Sequence, residues 1–152
     1  MPKLCHAHRL RNGRYSESGQ IYLLTAVSLN REPLFREFKS GRFVVDAFRA
    51  AEQEGIATSL AFVVMPDHFH WLIELHNTGL STLMARTKSR AAVMLNRSKG
   101  RQGAVWQSGY HDRAIRKEEN LPAVARYIVA NPLRAGLVDN VGNYALWDAI
   151  WL

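Results

Sequence analysis

His68 and His70 stand two residues apart in the run VVMPDHFHWLIEL, and Tyr127 lies in the run ARYIVANPLRAGLV. On a β-strand the His-x-His spacing turns both imidazoles to one face. A neutral imidazole is a common metal ligand, so the pair could hold one divalent cation. Tyr127 falls on a predicted helix, with Asn131 four residues later on the same face. A tyrosine beside a metal can act as a nucleophile, and an asparagine beside it can supply an oxygen ligand. In a basic chain these groups point to cutting of a DNA phosphodiester through a phosphotyrosine.

The elements that must position them can be read along the chain. Its 152 residues are expected to form a single domain, 1–152, with enough apolar content (47%) for a buried core. Residues 1–19 read as a basic N-terminal arm carrying Arg9, Arg11 and Arg14. QIYLLTAVSL (20–29) reads as a first strand and 43–54 as a helix stopped by Gly55. Residues 59–65 and 68–75 read as two strands joined by a Pro66-Asp67 turn. In the second of these, His68, His70, Leu72 and Glu74 share one face, and Phe69, Trp71, Ile73 and Leu75 share the other, taken as the core side.

A second helix is expected over 78–96, with Ser81 as its N-cap and Arg86, Lys88 and Arg90 on its exposed face. SKGRQG (98–103), with Lys99 and Arg101, reads as a basic loop. Residues 106–115 read as a fourth strand with a bulge at Gly109, and 117–130 as a third helix stopped by Asn131-Pro132. The tail, 139–152, is apolar enough to pack back onto the body.

The order predicts an α+β fold: a ferredoxin-like β-α-β-β-α-β arrangement with an antiparallel four-stranded sheet and an added C-terminal helix carrying Tyr127. Two helices would cover one face of the sheet. The other face would be left for a site, reached by the third helix.

Charge and cysteine usage narrow the setting. Lys and Arg number 20 against 13 acids, a formal charge of +7, which suits a nucleic-acid partner without proving one. A lone cysteine, Cys5, excludes an internal disulfide and any cysteine-based zinc cage. No run is long enough for a membrane span, and the N-terminus lacks a signal-peptide core. The expectation is a cytoplasmic protein, nucleoid-associated when on DNA, with no membrane partner.

Each signal has an ordinary structural reading when taken singly. Alternating histidines are often just a polar strand face, a helical tyrosine is usually core, and Asn-Pro is a natural helix terminator. Their joint presence in one order carries the resemblance. HFH after Met-Pro-Asp resembles the His-hydrophobe-His motif of the HUH endonucleases. RYIVANPLRAGLV resembles the segment bearing the single catalytic tyrosine of the REP-associated tyrosine transposases, and SLNREPLF and VWQSGYHDRAIR are similar to that family too. The resemblance runs from about Tyr15 to Val138.

The resemblance implies a Mg²⁺ or Mn²⁺ ion and cleavage of single-stranded DNA beside hairpins formed by repetitive extragenic palindromes. His68 and His70 would be metal ligands, Tyr127 the nucleophile and Asn131 the helix-borne third ligand. Arg9, Arg11, Arg14, Arg86, Lys88, Arg90, Lys99 and Arg101 are the candidate DNA contacts. Two rival classes stay open: a non-catalytic nucleic-acid-binding module on the same fold, and a metal-dependent hydrolase that uses water. Monomer and homodimer are equally open.

Overall fold

A computed structural model describes residues 19–116 and 118–151. Arg9, Arg11 and Arg14, with the rest of the expected arm up to residue 18, lie outside the described residues. The centre of the fold is β3 (His68–Leu75), whose bounds are those the alternation predicts. It pairs antiparallel with β1 (Ile21–Val27) on one side and with β2 (Ala57–Met65) on the other. β4 (His111–Ala114) flanks β1, and β5 (Trp147–Ala149) flanks β2, also antiparallel. The order across the sheet is β4-β1-β3-β2-β5. The described sheet thus has five strands rather than the expected four.

Helices α1 (Phe38–Gln53) and α2 (Leu80–Lys99) pack on one face of the sheet. Each buries a stripe at three- and four-residue spacing: Val44, Ala47, Phe48 and Ala51 on α1, and Leu80, Leu83, Met84, Thr87, Ala91 and Leu95 on α2. These meet the core face of β3, where Phe48 stacks on Trp71 at 4.3 Å and meets the edge of Phe69 at 5.0 Å. The Trp71 indole N–H is satisfied by Ser59 Oγ at 2.8 Å. No described helix is long and apolar enough to cross a membrane.

α1 begins five residues earlier than expected. Gly41, a poor helix former, obscures the pattern there; a Cβ at this position would press on the Leu146 side chain, which would have to shift. Gly55 ends the helix as expected, at φ +75°, with Ile56 N–H donating to Ala51 O. Ser81 is not the cap of α2. Gly79 occupies that position, and the Ser81 hydroxyl lies 3.5 Å from Tyr110 Oη.

The fourth strand is shorter than expected. The Trp106 indole stacks on Phe35 and donates to Lys88 O, which draws that segment toward the helices. Only a single bridge to Ser28 links Trp106 to the sheet's edge. Gly109, at φ +78°, belongs to the following turn rather than to a bulge.

The opposite face is covered by α3 (Leu121–Val129), which buries Ala125, Ile128 and Val129 against a patch that includes Leu60, Leu72 and Ile115. The expected start at residue 117 is corrected to Leu121. Asn120 caps the helix by accepting from Ala123 N–H at 3.1 Å, and Pro122 fits the first turn, where no N–H is required. The helix stops before Asn131-Pro132 as expected, at Val129 rather than Ala130. After a break at Ala130 the Asn-Pro pair opens a further short helix, α4 (Asn131–Arg134), with Pro132 again in a first turn. The tail returns as expected but as a strand. Tyr144 Oη donates to Val64 O at 2.6 Å, and Leu146 O accepts from Val64 N–H at 2.9 Å.

Candidate active site

The register sets the histidines. Thr25 on β1 lies opposite His70, and Val27 opposite His68, so both imidazoles stand on the face covered by α3. Their ring centroids are 5.0 Å apart at 78°. Each Nδ1 has a partner. His68 Nδ1 donates to Asp67 Oδ1 at 2.7 Å, and His70 Nδ1 lies 2.8 Å from Thr25 Oγ1. Asp67 is therefore more than a turn residue: it orients His68 and is itself held by Arg31 Nη1 at 3.0 Å. Burial alone would raise the Asp67 carboxyl, but the hydrogen bonds from His68 and Arg31 outweigh it and hold the group below its usual range.

His70 lines a cleft of about 600 Å³ together with Tyr127, Asn131, Arg113 and Arg134. Three of the four residues singled out for chemistry thus meet in one cavity, and the fourth, His68, abuts it through His70. Tyr127 is 66% exposed, so it is not a core residue. The Arg134 guanidinium sits 3.9 Å over its ring. Arg113 reaches the same cleft from β4 and is paired to Glu119 at 2.9 Å.

Arg113, Arg134 and Thr25 were missed by sequence reasoning. For Arg134 a signal existed: positions 127, 131 and 134 follow helical i, i+4, i+7 spacing. For the other two it did not, because their placement depends on strand register.

The described members of the basic set lie elsewhere. Arg86, Lys88 and Arg90 are on α2, behind the sheet, and none of the five described residues lines the cleft. Arg86 and Arg90 both pair with Glu54, Lys99 pairs with Glu37, and Arg101 approaches Glu32 at 3.9 Å. Lys88 Nζ donates to the carbonyls of Gln107 and Gly109 at 3.0 and 2.6 Å.

Burial, with smaller contributions from His68 and Arg134, pushes the His70 imidazole down to about 4. The ring is thus neutral, the form a metal needs. The sign of its effect on stability follows. Above about pH 6.5 the ring is neutral in both the folded and the unfolded chain. Below that, the unfolded chain binds a proton that the folded chain refuses until about pH 4. Stability in chelator should therefore fall as the pH drops from about 6.5 to 4, by on the order of 2 kcal/mol after discounting for partial exposure. His70→Asn should flatten this part of the curve. Urea denaturation at several pH values checks it, and an unchanged slope in the variant would contradict the assignment.

Among the described residues no three His, Cys, Asp or Glu side chains come together as a metal cage. A cation at His68 and His70 would need a third protein donor of another kind. The Asn131 amide lines the same cleft as His70, and with both Nδ1 atoms engaged, the Nε2 atoms are the nitrogens left to a metal. The residues present fit a divalent ion.

The sequence profile described as "Transposase IS200 like" matches residues 17–131. The chain belongs to the IS200-like transposase family. A candidate REP-associated tyrosine transposase of Haemophilus influenzae is 25% identical over 142 residues, spanning 83% of this chain and 77% of that protein. These two findings bear out the resemblance read from the sequence. Among solved structures, a REP-associated tyrosine transposase bound to a REP hairpin superposes with a TM-score of 0.72 at 21% identity, covering 88% of this chain and 79% of the other. A candidate transposase from Deinococcus radiodurans superposes at 0.55 with 20% identity, covering 71% of this chain and 87% of that one. The fold is therefore shared with transposases.

Proposed function

We propose that the protein is a metal-dependent single-stranded DNA endonuclease and strand transferase that acts beside hairpins of repetitive extragenic palindromic DNA. The observation that carries this reading is the meeting of Tyr127, His70 and Asn131 in one cleft lined also by two arginines. The hairpin substrate rests on the relatives, one of which is a REP-associated transposase bound to a REP hairpin.

His68, His70 and Asn131 would hold Mg²⁺ or Mn²⁺, which when bound polarises the scissile phosphate and offsets transition-state charge. Tyr127 Oη attacks phosphorus in line, a tyrosyl–phosphate bond forms, and the bond to the 3′ oxygen breaks. The phenolic proton is lost as the bond forms, and the leaving 3′ oxygen takes up a proton. The product is a 5′-phosphotyrosine and a free 3′-hydroxyl, which can reverse the step at the same site. Arg113 and Arg134 bring positive charge to the phosphate. The guanidinium over the Tyr127 ring also holds the nucleophile's orientation. The exposure of Tyr127 favours this reading over a water-using hydrolase in which the tyrosine is structural.

The test is incubation with end-labelled hairpins carrying a single-stranded flank, with Mn²⁺, followed by a denaturing gel. A covalent protein–DNA adduct on the 5′ side of the break is expected. Nicking with no adduct would assign the chemistry to water. A salt-series titration with hairpin plus flank, unstructured strand and blunt duplex should show tightest binding to the first, weakening steeply with salt.

Because Asp67 orients His68 through Nδ1, Asp67→Asn should weaken Mn²⁺ binding roughly 10- to 100-fold. Calorimetric titration of Mn²⁺ into both proteins measures this. Equal affinity would leave Asp67 as a turn residue only.

A further inference from the structure

We propose that a second cleft, between β1 and the 107–110 turn, binds one unpaired nucleobase of the DNA strand held at Tyr127; this rests on the proposed function. The register places it. Leu23, Thr25 and Val27 alternate along one face of β1, with Arg113 opposite Leu23 and His111 opposite Thr25. Leu23 and Arg113 line the cleft of Tyr127, whereas Thr25, Val27 and His111 line the second cleft, of about 360 Å³. The two clefts adjoin at the Thr25–His70 hydrogen bond. Two residues along a strand span about 7 Å, on the order of one or two stacked nucleotide steps of about 3.4 Å.

The lining chemistry selects a base over a phosphate. The cleft of Tyr127 holds two arginines, whereas among the described residues the second cleft is lined by no lysine, arginine or acid. Its exposed side chains are Gln107, Ser108 and His111. The Gln107 amide carries both a donor and an acceptor, which matches the edge of a base, and the His111 ring offers a flat stacking surface.

The turn is also preorganised. Gln107 N–H donates to Val27 O at 2.9 Å, and Lys88 Nζ binds the carbonyls of Gln107 and Gly109. These bonds engage the backbone polar groups of the turn, and the turn residues line the cleft. Lys88, expected from the sequence to contact phosphate, supports this turn instead of lining either cleft.

The experiment uses the full chain as Tyr127→Phe, which is expected to bind without cutting, and a hairpin with a single-stranded flank. Equilibrium binding is measured for a series of DNAs, each with one abasic site in the flank. We expect one abasic position to weaken binding about tenfold. Gln107→Ala should weaken binding to intact DNA by a similar factor and add little at that one abasic position, while still adding its full effect elsewhere. His111→Ala should repeat the pattern. Insensitivity to every abasic site, or losses from Gln107→Ala that multiply with the abasic loss at all positions, would overturn the proposal. Adduct formation by the wild-type protein on intact DNA is scored separately. An adduct without the non-additive position sinks the base cleft alone. Failure to bind or cut the hairpin DNA sinks the proposed function and the cleft with it.

Discussion

Tyr127→Phe should abolish the covalent adduct and lower strand cleavage by at least roughly 10³-fold, the scale expected when a nucleophile is removed. Binding to hairpin DNA should be nearly unchanged. The phenyl ring keeps its place under Arg134, and the lost hydroxyl belongs to a side chain that is mostly exposed, so no buried group is left without a partner. The stability change should stay within about 0.5 kcal/mol, as for surface substitutions. Adduct gels, binding titrations and urea curves on the same preparation separate these effects. Substantial cleavage by the variant would remove Tyr127 from its proposed role.

His70→Ala should have the second largest effect. It deletes one metal-binding imidazole from the cleft and leaves the Thr25 hydroxyl without its partner. Cleavage should fall by roughly 10²-fold or more, since loss of a ligand should exceed the 10- to 100-fold cost of losing a partner behind one. Mn²⁺ affinity should fall alongside it. A mixture of His70→Ala and Tyr127→Phe chains makes the prediction sharper. His70 and Tyr127 line one cleft within a single chain, so the mixture should stay inactive. Recovery of cleavage on mixing would mean that the working site draws its tyrosine from a second copy.

The parts of this arrangement legible in the sequence are those encoded locally. β3 was found with its bounds because Phe69, Trp71, Ile73 and Leu75 recur at every second position, with His68, His70 and Glu74 between them and Leu72 the one apolar residue on the histidine face. The gathering of His70, Tyr127 and Asn131 could be anticipated because each stands at a spacing with a geometric meaning. β5 was not legible as a strand. Three residues, WDA, carry no periodic signal, and the strand exists because the outer edge of β2 accepts it. The positive charge was legible, but its direction was not. Glu54, the partner of Arg86 and Arg90, lies 32 and 36 residues away in sequence, so nothing local shows that these side chains are engaged behind the sheet. Asn131-Pro132 marked the stop of α3 but not the short helix that follows it. A proline ends one helix and begins another with the same backbone preference, and only the following turn decides.

The segment carrying Tyr127 is an arch with both feet on the sheet. At one foot, Ile115 N–H bonds to Ile21 O at 2.9 Å, and at the other, Ile150 N–H bonds to Leu60 O at 3.0 Å, with Ala125, Ile128 and Val129 wedged beneath the span. The helix that carries the hydroxyl is thus tied to the sheet at both ends of its segment and along its buried face. On the proposed reading, the protein behaves as a fixed jig rather than a swinging arm. Once a 5′ end is bound to Tyr127, rejoining it to a different 3′ end requires the free DNA end to leave and another to enter the same cleft. The choice between resealing the original strand and making a new junction would then be set by how fast the DNA ends exchange, which places control of the outcome in the nucleic acid and its concentration.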